Sequence, residues 1–101
     1  MHLRCHDLAV QFYRIARATK LPSHLKNQFL RASSSIALNL SEGTGRATKK
    51  DRQHFYQIAF GSIRECQSIM SLEPGHFTDA ERDLLDYLAA STYKLTRCRN
   101  R

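Results

Sequence analysis

Long apolar runs are missing from this chain. Nothing in it approaches the roughly 20 consecutive apolar residues that a membrane span needs, and the opening MHLRCHDLAVQFYRIAR holds no uninterrupted stretch of the kind a signal peptide carries. A cytoplasmic protein without membrane contact is the expectation. Cysteine is scarce too: Cys5, Cys66 and Cys98 are odd in number, far apart and without a C-x-x-C pair, which disfavours a disulfide framework or a zinc knuckle. They read as reduced thiols serving as small apolar side chains. Four glycines and two prolines exclude collagen-like and low-complexity chains, and no internal repeat is visible. No segment alternates with period two for long enough to suggest a sheet. At 101 residues the chain supports one hydrophobic core, so residues 1–101 read as a single domain.

Positive charge is in excess and unevenly spread. Sixteen Lys and Arg stand against nine Asp and Glu, for a net charge of +7. Residues 1–64 hold eleven basic and three acidic side chains, residues 65–96 hold two basic and six acidic, and the last five residues add three arginines. Such a field draws a polyanion to one side of the molecule, or sets unlike faces of neighbouring subunits together.

Four amphipathic segments follow from apolar spacing. Leu8, Phe12, Ile15 and Ala16 recur at intervals of three and four over residues 7–19, with Arg14 and Arg17 facing away. Leu21-Pro22 ends this helix, and Ser23 is placed to cap a second one running to Glu42, with Leu25, Phe29, Ala32, Ile36 and Leu40 along its stripe. Gly43-Thr44-Gly45 offers residues tolerant of left-handed backbone. Thr48 and Asp51 make a variant capping box for a third helix that reaches Leu72, its stripe being Phe55, Ile58, Ala59, Ser62, Ile63, Cys66, Ile69 and Met70. Glu73-Pro74-Gly75 breaks the pattern. Thr78-Asp79-Ala80-Glu81 is a full capping box, and Leu84, Leu88, Ser91 and Leu95 form the fourth stripe. Short connections make successive helices antiparallel, so the expected fold is an all-α, up-down-up-down four-helix bundle.

Some side chains exceed what a lone bundle needs. Phe60 falls on the polar side of the third helix, and the second carries Leu30 and Ala37 along one flank with Leu38 pointing outward. Scattered exposed apolar residues are ordinary, but recurrence on adjacent helices favours burial against a second copy of the chain. In Gly45–Arg52, the run GRATKKDR gathers Arg46, Lys49, Lys50 and Arg52 about the start of the third helix, where unpaired N–H groups also attract anions. With Arg14, Arg17 and Lys20 these form a candidate nucleic-acid surface. Contact with backbone phosphates is expected over base edges, because no helix carries a compact recognition set. The competing readings are a solvated basic loop that keeps the protein soluble, and a structural or protein-interaction module whose charge serves subunit assembly without nucleic-acid binding.

Arg31, Asn39, Glu42 and Glu65, polar residues beside the core stripes, read as a structural network tying the second and third helices together. No metal site is expected, since His2, Cys5 and His6 at the terminus lack a fourth ligand. Ser33-Ser34-Ser35 lies inside a helix without a G-x-S-x-G turn, so neither a catalytic nucleophile nor a cofactor is expected.

Taken together, Arg31 to Gln67, RASSSIALNLSEGTGRATKKDRQHFYQIAFGSIRECQ, resembles the pattern of the bacterial 23S rRNA intervening-sequence protein family. The matching residues are Arg31, Ala32, Ser35, Ile36, Asn39, Glu42, Gly43, Gly45 and Arg46, then Phe55, Ile58, Ala59, Gly61, Ser62 and Glu65. The resemblance spans most of residues 7–70, while the last quarter matches only as a generic helix. It implies a four-helix bundle, assembly into a basic homopentamer and no enzymatic activity. It also implies distant kinship with the accessory variability determinant of diversity-generating retroelements, and with it RNA or DNA and a reverse transcriptase or other protein as candidate partners. Leu38, where a small residue is usual, and the short connection from Glu73 to Gly75 depart from the pattern.

Overall fold

A computed structural model describes residues 3–97 of the chain. It is an all-α, antiparallel up-down-up-down bundle of α1 (Leu3–Ala18), α2 (Ser23–Thr44), α3 (Lys49–Leu72) and α4 (Asp79–Thr96), with one 3-10 turn at Pro74–His76. Sequence neighbours pack together, α1 on α2, α2 on α3 and α3 on α4, and α1 against α4 closes the ring. Among the described residues the diagonal pairs α1/α3 and α2/α4 do not approach within 8 Å between Cα atoms. The molecule is a rod, 41 Å long and 22 × 19 Å across. At one end, called upper below, lie the α1–α2 turn and the 3-10 turn; the α2–α3 connection and the end of α4 lie at the lower end.

The core runs the length of the rod. Phe12, Ala16, Phe29, Ile36, Leu40, Ile63, Cys66, Leu85 and Leu88 are almost wholly buried. Near the upper end Phe12, Phe29 and Phe77 meet edge to face, with ring centroids 5.6 and 5.4 Å apart. Each such pair adds about 0.5–1.5 kcal/mol beyond its buried area. Phe77 follows the 3-10 turn and closes that end of the core.

Several expected details differ, each for a physical reason. α1 begins at Leu3, four residues before the expected start, because Cys5 and Ala9 extend its buried stripe. Pro22, not Ser23, stands at the N-cap of α2 and makes no side-chain cap bond; its carbonyl instead accepts from Leu25 and Lys26 N–H. Gly43 and Gly45 do not adopt left-handed backbone. Gly43 lies inside α2, buried against the Tyr56 ring, and Gly45 caps the helix in right-handed geometry. Thr48 Oγ1 accepts from Asp51 N–H at 3.1 Å, and the Thr78/Glu81 capping box is complete in both directions. In α3 the stripe rotates toward Tyr56, which is buried, and leaves Ile58 exposed and Phe55 half-buried. In α4 it rotates by one residue, so Leu85 and Thr92 are buried where Leu84 and Ser91 were expected.

Candidate nucleic-acid interface

The basic residues divide into two groups by helix topology. Arg14 and Arg17 are exposed on the last turns of α1 and Lys20 follows them, all at the upper end. Arg14 and Lys20 share a shallow groove with Gln11, His76, Thr78 and Glu81, so a carboxylate sits beside two of these cations. Arg46, Lys49, Lys50 and Arg52 surround the α2–α3 connection at the lower end. Gln53 Nε2 donates to Thr96 O at 3.4 Å, which brings the end of α4, and with it Arg97, to this same end. The single surface expected from the sequence is therefore two.

Within the lower group the cations are not equivalent. Arg46 pairs with Glu42 one turn back and lies over the Phe55 ring at 4.8 Å. Arg52 Nη1 donates to the carbonyls of Arg46 and Ala47 at 3.3 and 3.1 Å, fixing the shape of the connection. Lys49 and Lys50 are exposed at the start of α3. Arg97 lies over Tyr93 at 5.3 Å. Against these five cations the lower connection sets Glu42 and Asp51, so charge of one sign dominates. Lys26, basic in sequence but structural in effect, donates from Nζ to the carbonyls of Ala16 and Arg17 at 2.9 Å and also to that of Thr19, capping the end of α1. Nothing in local spacing separates such a lysine from a phosphate-binding one, because its acceptors belong to another helix. Arg99 and Arg101 of the arginine tail lie outside the described residues.

The polar network expected between α2 and α3 takes a different form. Arg31, Glu42 and Glu65 are exposed, and Glu42 is engaged by Arg46. The contact across the two helices is made by serines: Ser62 Oγ donates to Ser35 Oγ at 2.9 Å, and Asn39 Nδ2 donates to Ser35 Oγ at 3.0 Å and to Ser35 O at 2.9 Å. Thr44 and Tyr56 hydroxyls meet at 3.3 Å lower down. Carboxylates and guanidinium groups stay in water because taking a charge out of it costs more than an exposed ion pair returns, whereas short hydroxyl side chains reach each other across closely packed helices.

Of the apolar residues assigned to a second buried surface, Phe60 is half-buried, its ring 5.6 Å from that of Tyr93 on α4. Leu30 and Ala37 are half-buried against the core. Leu38 alone of the four is open, at 68% exposure. The Ser35–Ser62 bond sets the register, so Leu38, three residues beyond Ser35, and Ile58, four before Ser62, fall at one height on the same outer groove. Arg31 and Glu65 occupy that groove on the other side of the serine pair.

Both described cysteines, Cys5 and Cys66, are reduced and buried. Burial pushes both thiols above their ordinary value, and the Glu65 carboxylate adds to this at Cys66. Among the described residues no group of three His, Cys, Asp or Glu is placed to hold a metal, and no helix is long and apolar enough to cross a membrane. His2 and Cys98 lie outside the described residues. Compared with known proteins, residues 2–96 match the family model described as 23S rRNA-intervening sequence protein. No curated protein and no solved structure matches the chain.

Proposed function

The chain belongs to the 23S rRNA-intervening sequence protein family, and on that premise we propose that it is a non-enzymatic, homo-oligomeric accessory protein that binds nucleic acid through backbone phosphates. The observation that carries the reading is the lower end of the rod, where Arg46, Lys49, Lys50, Arg52 and Arg97 outnumber Glu42 and Asp51 around one short connection. Phosphate is held there by charge, which does not read base edges. Self-association is supported by Leu38 and Ile58, two exposed apolar side chains side by side in the α2–α3 groove. The pentamer as its order rests on the family resemblance, and so does a reverse transcriptase or other protein as a further partner.

Titration of a short fluorescent RNA duplex at rising salt tests the binding. With about four phosphates neutralised, affinity falls roughly a hundredfold for a fourfold rise in salt. Lys49→Glu with Lys50→Glu lowers affinity alike for duplexes of different sequence. Absence of binding at low salt, or binding indifferent to salt, overturns the reading. In its place would stand an assembly module whose acidic α4, with Asp79, Glu81, Asp83 and Asp86, faces basic helices of a neighbouring subunit.

A further inference from the structure

The two basic groups cannot serve one straight duplex, because they differ both in height and in direction. Arg14, Arg17 and Lys20 lie at the upper end, and Arg46 to Arg52 at the lower, separated by the 22 residues of α2. At about 1.5 Å per residue that helix spans about 33 Å. Direction follows from the helical turn of about 100° per residue. Phe12 marks the inward side of α1, being fully buried, and Arg14 and Arg17 fall about 160° and 140° from it. Cys66 marks the inward side of α3, and Lys50 falls about 160° and Lys49 about 100° from it, while Arg52 turns back to the connection whose carbonyls it bonds. α1 and α3 occupy diagonal corners of the bundle. Outward from one is therefore opposite to outward from the other.

Nearby charges sharpen the separation. Between the two groups, α2 offers Arg31 as its only further basic residue on the outer surface, since Lys26 is committed to capping α1. The outer face of α3 adds only Arg64 above the lower group, so among the described residues no continuous basic track follows α2 or α3 between the ends. A stiff double helix laid against one group runs away from the other, since bending a duplex around a rod of this size works against a persistence length of about 150 base pairs.

We infer that the bundle bridges two separate segments of double-stranded nucleic acid, one at the α1 end and one at the α2–α3 connection. This rests on the phosphate-binding reading given above and adds to it a linking role that a single basic surface would not have. Each end contributes modestly; the pair, engaged together, holds two segments in proximity.

The test uses the full chain and two short RNA duplexes, one biotinylated and one fluorescent. Capture of the first on streptavidin should retain the second only when protein is present. Arg14→Glu with Arg17→Glu, and separately Lys49→Glu with Lys50→Glu, change exposed side chains, and circular dichroism checks that helicity is kept. Each double variant should still bind a single duplex by anisotropy, several-fold more weakly, and should lose co-capture. If the unaltered protein binds duplex without co-capture, or if either double variant still co-captures, the bridging inference falls while the phosphate-binding reading stands; the second outcome would mean that like ends of neighbouring subunits do the linking. If the unaltered protein binds no duplex at low salt, both fall.

Discussion

A Cβ added at Gly43 would lie 2.7 Å from Tyr56 Cε1, 2.9 Å from Cδ1 and 3.2 Å from the Arg52 carbonyl oxygen. Tyr56 is buried and its hydroxyl is engaged by Thr44, so the ring has little room to yield. Gly43→Ala should therefore destabilise by about 1–3 kcal/mol despite the better helix propensity of alanine. At Gly61, with nothing within 4 Å of the added methyl, the same change should stabilise by about 0.5–1 kcal/mol. Urea midpoints of the two variants check both signs. Cys66 supplies a pH dependence. Its thiol ordinarily ionises near 9.0, and burial raises that value in the folded chain. The unfolded chain thus releases a proton that the folded chain retains, so stability present below pH 9.0 is lost as pH rises toward the folded value. Cys66→Ala should shallow this alkaline decline when urea midpoints are followed from neutral pH upward. Tyr56 and Gly43 show what spacing could not supply. In sequence Gly43 marks a helix stop because glycine commonly ends helices, yet in the fold it makes room for a ring thirteen residues away.

Helix α4 begins at a reciprocal cap in which Thr78 Oγ1 accepts from Glu81 N–H at 3.1 Å and Glu81 Oε1 accepts from Thr78 N–H at 3.0 Å. Thr78→Ala should cost about 1 kcal/mol. Ser23 is one residue inside α2 and makes no cap bond, so Ser23→Ala should change stability by less than about 0.5 kcal/mol. Chemical denaturation of the two variants side by side distinguishes a bonded cap from a residue of the right type in the wrong place. All four helices were legible from apolar periodicity, and the capping box was legible because its two members are close in sequence. The rotation of α4 was not: Leu84 and Leu85 each fit spacings of three and four, and the choice between them depends on where α1 and α3 sit. The same holds for Lys26, whose acceptors lie on α1, and for the serine pair that joins α2 to α3.

For the whole molecule the outer α2–α3 groove gives the sharpest test of self-association. Leu38→Asp should lower the mass measured by sedimentation equilibrium while helicity is retained, since Leu38 is mostly exposed and supports little of the core. An unchanged mass would remove this groove as the subunit contact. Phe60→Asp discriminates less well, because Phe60 packs on Tyr93 and its loss weakens the bundle itself. The candidate site was half legible: the seven cations were found by composition, but their division between two ends depends on helix order in space, which no local run of charge reports. That order also bears on how the chain reaches its native state. Each helix after the first can dock on the one synthesised just before it, and only the seam between α1 and α4 joins remote parts of the chain. Most native contacts are thus close in sequence, loop closure is postponed to one late event, and the chain falls among the topologies that fold in microseconds to milliseconds.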